Sequence, residues 1–204
     1  MPAGEPEPLA DLVVDPPDTV AGRTIEAGTG DTAQLRLLFT TPIDDIDART
    51  RALAEVAERV LDARLTRVVR EALGATYSPR ASVVVDTDPD PVVEVSVVVT
   101  GAPDRIAELE DVVLGEVADL AANGIEAAEF APALAEVVES YGFVDNGRFL
   151  DELLASELHP SRDLDDFWGI DEALADLDAA DVAAFVAGAA PPDRYVAVTV
   201  VPRR

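Results

Sequence analysis

Between residues 46 and 101 the hydrophobic period changes once, and that change sets the kind of fold open to the chain. From 46 to 73, Leu53, Val56, Val60, Leu61, Leu65, Val68, Val69 and Leu73 recur at steps of three and four, which is one face of a long helix. YSPRASVVVDT (77–87) and PVVEVSVVVTG (91–101) follow at once, dense in β-branched residues, as strands are. The short DPDP between them predicts an antiparallel pair. A long helix must bury its stripe, and the hairpin beside it in sequence is the nearest surface for that.

The flanks extend the pattern. RTIEA (23–27) suits a short strand, and QLRLLFTT (34–41) a stronger one with Leu35, Leu37 and Phe39 on one face. Pro42 stops it, and Asp44 and Asp45 are placed to cap the long helix. Pro103 opens a second helix to about Ala122, ended by Asn123 and Gly124. A third helical stretch runs from Ala127 towards Leu158, interrupted near YGFVDNG (141–147). DEALADL (171–177) is a short helix. Asp178 caps another, AADVAAFVAGAA, and RYVAVTVVP (194–202) is a final strand. The order ββαββααααβ predicts an α+β domain, a mostly antiparallel sheet of about five or six strands with long helices on one face. Residues 1–20 hold five prolines among several acids and read as a lead-in or interdomain linker. Residues 21–204 then form a single domain.

Composition narrows the function. The 204 residues include 41 acidic and 15 basic side chains, net −26, and every basic residue is Arg. Such a charge repels nucleic-acid phosphates and anionic lipid, so neither is an expected partner. With no Cys and a single His, His159, the chain lacks thiolate chemistry and cannot supply the two histidines of an HxxEH zinc site. His159, before Pro160, reads as a helix-terminal or loop residue. No basic-then-apolar leader and no run of eighteen apolar residues occurs, so the compartment is left open, cytoplasmic by default. DTDPDP (86–91) alternates acids as a calcium loop would, but an EF-hand needs Gly and Glu where Pro91 and Val97 stand, so it reads as a hairpin tip. Arginines 49, 51, 59, 64, 67 and 70 interleave with Glu55, Glu58, Asp62 and Glu71, predicting i,i+4 pairs on a solvated face. Phe167 and Trp168 read as buried anchors, with the acids around them placed to face a partner domain.

One constellation invites chemistry. Arg70 lies in the last turn of the long helix, Gly74 turns the chain, and Tyr77 opens the next strand, so a guanidinium and a phenol meet near the sheet edge. Such a donor pair suits a carbonyl or an oxyanion. The alternative is that Arg70 caps helix carbonyls while Tyr77 packs with its hydroxyl in water.

The motif R-E-x-x-G-x-x-Y-S, after a long helix and before a Val-rich hairpin, resembles the non-catalytic C-terminal domain of the pitrilysin/insulinase (M16) metallopeptidases. The resemblance runs from PPDTVAGRTIEAGTGDTAQLRLLFTTP through GAPDRIAELEDVVLGEVADL and EAAEFAPALAEVVESY, then Asn146 with FLDELL, to LDAADVAAFV and VAVTVVP. It implies the LuxS/M16-like metallohydrolase fold. It implies that Arg70 and Tyr77 bind the substrate backbone near the scissile bond of a zinc endopeptidase. The zinc belongs to a partner domain bearing HxxEH, in the same longer chain or a separate subunit, and this chain is inert alone, with no cofactor of its own. Two other readings stand beside it: a scaffold subunit with no peptidase role, and a stand-alone module whose acidity favours basic peptides. A lone domain of this kind is also expected to self-associate through an uncovered apolar flank.

Overall fold

The computed structural model describes residues 16–73, 78–87, 90–142, 147, 150–151, 153–154 and 168–203. Among these, strands β1 (Ala21–Glu26), β2 (Ala33–Pro42), β3 (Ser78–Asp86), β4 (Val92–Gly101) and β5 (Val196–Val201) form one sheet in the order β1-β5-β2-β4-β3. Every pairing is antiparallel except β1 with β5, which is parallel. The helices are α1 (Ala48–Leu73), α2 (Ile106–Asn123) behind a 3₁₀ turn at Pro103–Arg105, α3 (Ala127–Gly142), α4 (Ile170–Ala175) and α5 (Ala179–Ala189).

The helices lie on one side of the sheet, α1, α2 and α5 against the strands and α3 and α4 stacked on α1. Leu35, Leu37 and Phe39 of β2, Val93, Val95, Val97 and Val99 of β4, and Ala81 and Val83 of β3 are buried beneath them, on alternate positions as a one-sided sheet demands. Helix α1 contributes Val56, Val60, Leu61, Leu65 and Val69 to the same core. Helix α2 adds Ile106, Leu109, Val113, Val117 and Leu120, the side expected from its period. Burying a side chain of this size is worth about 1.5–3 kcal/mol.

Three local expectations are corrected. Helix α1 begins at Ala48, and its cap is Asp47 rather than Asp44 or Asp45. The Asp47 Oδ1 accepts from the Thr50 amide at 2.7 Å and the Thr50 hydroxyl at 2.8 Å. The Thr50 amide bond leads in holding the Asp47 carboxyl below its ordinary pKa, against the opposing effect of burial. Asp45 spends its oxygen on the Ile46 amide, 2.9 Å away. Trp168 is 61% exposed rather than buried; Phe167 lies outside the described residues. The charged face of α1 is not all solvated, since Arg64 is buried. Its groups reach other elements: Arg59 to Glu136, Arg64 and Arg67 to Glu129, and Tyr141 donates to Glu55. The Asp178 cap stands as expected, a capping box with Asp181.

The two edges of the sheet are treated differently. At β3 the amides that point away from β4 are taken by α1: Ala81 N–H donates to Asp62 Oδ1 and Val83 N–H to Glu58 Oε2, both at 3.0 Å. A helix thus closes an edge that would otherwise accept another strand. Replacing Glu58 and Asp62 together by Ala is expected to cost about 1 kcal/mol for each lost acceptor and to expose the edge. Urea unfolding and sedimentation velocity read both effects. An unchanged midpoint with an unchanged sedimentation coefficient refutes the role given to the two carboxylates.

Candidate functional site

The candidate site stands at the end of the sheet where α1 hands the chain to β3. Its position follows from the edge contacts. Asp62 sits beside Ala81 and Glu58 beside Val83, so α1 and β3 run in opposite directions. From Asp62 to Arg70 the helix rises about 12 Å, at 1.5 Å per residue. From Ala81 back to Ser78 the strand spans about 10 Å. The backbone of Arg70 is therefore level with the start of β3, where Ser78 pairs with Thr100 and Gln34 pairs with Thr100 from the other side.

Arg70 is the basic residue of the last turn of α1. It is exposed, as is Glu71, while Val69 beside it is fully buried. The apolar side of the turn is thus anchored and the guanidinium faces solvent, near the carbonyl end of the helix dipole that it complements. Tyr77, Gly74 and His159 lie outside the described residues, as do Asn146 and part of the DTDPDP tip. Among the described residues no group of His, Cys, Asp or Glu is arranged to hold a metal ion, and the one His of the sequence cannot make HxxEH. The residues present do not fit a zinc site.

What holds α1 in place is a charged cluster that the sequence reading assigned to solvent. Arg64 is only 8% exposed. Its Nε lies 3.2 Å from Glu129 of α3 and its Nη1 3.3 Å from Asp119 of α2. Arg67 adds a second bond to Glu129 at 3.0 Å. One guanidinium therefore ties three helices, six residues before Arg70. Its alternation with Leu65 gave no sign of burial, because the acids that make burial tolerable come from two helices distant in sequence. Burial raises the Glu129 pKa, but the Arg64 hydrogen bond and charge, the Glu126 backbone amide and Arg67 outweigh it and hold the carboxyl below its ordinary value.

The comparisons with known proteins bear on the fold and the family. The α+β fold of this chain is shared with several solved protease structures. The periplasmic protease PqqL from Escherichia coli superposes with a TM-score of 0.75 at 17% identity, over 91% of this chain and 21% of that one. The M16 inactive domain from Pseudomonas fluorescens gives 0.70 at 18% identity, over 91% and 44%. Pitrilysin gives 0.63 at 16%, over 92% and 20%. The family described as the peptidase M16 inactive domain matches residues 2–137, and the chain belongs to that family. No curated protein is similar enough to count as a match. The chain spans less than half the length of each of these structures.

The lowered Glu129 pKa has a sign that can be checked. A depressed native pKa contributes stability that is complete above the unfolded value, about 4.3, and is lost as pH falls through the native value. Glu129→Gln is expected to be less stable than the parent at neutral pH, with the gap narrowing below about pH 4. Thermal unfolding followed by circular dichroism across that range measures it. A gap that is constant with pH rules out the ion cluster as its source.

Proposed function

We propose that the chain is the non-catalytic C-terminal domain of an M16-type zinc endopeptidase. It completes a substrate chamber and holds the peptide backbone through Arg70 and Tyr77. The observation that carries this reading is the family match together with Arg70. An arginine exposed in the last turn of α1 stands level with the entry to β3, one short connection before the residue that follows Tyr77 in the chain. The family description is of an inactive domain, which agrees with a sequence that has no HxxEH.

In this reading a partner domain bearing HxxEH supplies zinc and the activated water, and residues 1–20 link the two domains or lead into this one. This chain's part is positioning. The Arg70 guanidinium donates to a substrate carbonyl oxygen, and the Tyr77 hydroxyl donates to the oxygen on which charge develops as that carbonyl is attacked. Neither group carries out a proton transfer. Cross-helix ties from Arg64 and Arg67 keep α1, and with it Arg70, from shifting, and a small misplacement of such a donor is costly.

The test uses the complete protease, catalytic domain included. Arg70→Ala and Tyr77→Phe are each expected to lower kcat/KM roughly ten- to a thousandfold, the range for losing one transition-state donor. Arg70→Lys should recover only part of it, since a point charge lacks the planar fork. The chain alone with zinc should cleave nothing. Unchanged kinetics in both variants would return the domain to a scaffold role.

A further inference from the structure

The uncovered face of the sheet carries a feature that needs the strand order to be seen. In register, Arg23 of β1 lies beside Val198 of β5, Val198 beside Arg36 of β2, Arg36 beside Val98 of β4, and Val98 beside Arg80 of β3. One row across the whole sheet therefore reads Arg-Val-Arg-Val-Arg. Directly opposed residues point to the same side, and Leu35, Leu37, Val97 and Ala81 occupy the buried side, so all five side chains project from the face without helices. The three arginines are exposed. Strands lie about 4.8 Å apart, so successive arginines in the row stand roughly 10 Å apart.

The central arginine is oriented. Arg36 Nε donates to the buried Ser96 hydroxyl at 3.1 Å, and its Nη2 is 3.7 Å from Glu94, an exposed and loose contact. The flanking rows carry Val196 and Leu38 on one flank, and Ile25, Val200 and the polar Gln34 on the other. On the described positions of this face the acids are Glu94 and Asp86, both displaced along the strands from the row. A chain of net charge −26 thus presents one locally basic, part-apolar strip.

We propose that this strip binds an acidic peptide in the polyproline-type conformation, whose carboxylates recur every third residue and so share one side of the chain, with small apolar residues between. Three residues of polyproline-type chain make one turn and span roughly 9 Å, close to the arginine spacing, and the guanidinium fork suits a carboxylate. The row lies two residues along β3 from Ser78, the point where the connection from Arg70 enters the sheet. The strip and α1 lie on opposite faces of the sheet, so a peptide held by both rounds the sheet end at Ser78 and Thr100. The proposal rests on the reading of the chain as part of a peptide chamber and names the substrate class for it, opposite in sign to the basic peptides that net charge alone suggests.

The test is binding to the 204-residue chain itself, so it is separate from cleavage by the complete protease. Short fluorescein-labelled peptides are titrated by anisotropy: one with Glu at every third position and Ala or Val between, one with Gln in place of Glu, one with Lys. At about 0.15 M salt the Debye length is near 8 Å, so the carboxylates of the helical layer behind the sheet are screened while contact pairs persist. The Glu peptide is expected to bind at least tenfold tighter than the Gln peptide, and the Lys peptide not to compete. Arg23→Gln with Arg80→Gln, which spares the Ser96 bond of Arg36, should abolish that preference; Arg203→Gln, at a site off this row, should not. Equal binding of the three peptides, preference for Lys, tighter binding of single-stranded DNA of the same length, or an unaffected double variant each overturns the proposal. Loss of Glu-peptide preference in Arg70→Ala, with the double variant unaffected, would place the acidic preference at the helix end instead.

Discussion

The architecture turns on a match of two lengths. Along α1, Glu58 and Asp62 are four residues apart, about 6 Å of helix rise. Along β3, the outward amides of Ala81 and Val83 are two residues apart, roughly 6.8 Å of strand. One pair of carboxylates therefore meets one pair of edge amides at 3.0 Å each. A helix displaced by one residue would turn its carboxylates off the edge and its buried stripe off the sheet together. The same two bonds fix the direction of α1, its height along β3 and, through eight further residues of helix, the place of Arg70.

Among the described residues nothing comparable closes the other edge. β1 pairs with β5 alone, and its side chains are exposed along the whole strand. Its bonds come from the far end of the chain: Ala21 N–H donates to the Tyr195 carbonyl and Ala27 N–H to that of Val201, both at 2.9 Å. Arg203 ties back similarly, its amide to Gly28 and its Nε to the Glu26 carbonyl. The closure entropy of so long a loop is offset by burying Tyr195 against Phe39, ring centroids 5.4 Å apart. Burial, with Glu110 and Asp111 behind it, raises the Tyr195 pKa, as expected of a phenol wedged between the sheet and an acidic helix.

Which parts were legible in the sequence follows from how local their causes are. The stripe of α1, the apolar side of α2, the capping Asp178 and the antiparallel β3–β4 pair depend on residues within a few positions of one another, and all were readable. The start of α1 was not: three aspartates compete within four residues, and the winner is the one whose oxygen reaches the Thr50 amide. Burial of Arg64 was hidden because its acids arrive from α2 and α3. The parallel β1–β5 pair, 175 residues apart at Ala21 and Val196, left no local trace. Of the candidate pair, the exposed arginine at the end of α1 was readable from the helix period, since Val69 and Arg70 fall on opposite sides of the last turn.

Net charge does not describe the local charge of the uncovered sheet face. The acids concentrate on helices, where α1, α2 and α3 trade them for contacts with Arg59, Arg64, Arg67 and the β3 edge. Strands place residues on two faces by parity, so an arginine at an even position of β2 and β3 and an odd position of β1 lands on the uncovered side. Sheet order then collects three of them into one row. Carboxylates on the solvent side of the helices are screened by salt, and a helical layer about 10 Å thick separates them from the open face. A ligand on the open face therefore meets the arginines and valines of that row, while the carboxylates that dominate the total charge lie a layer behind.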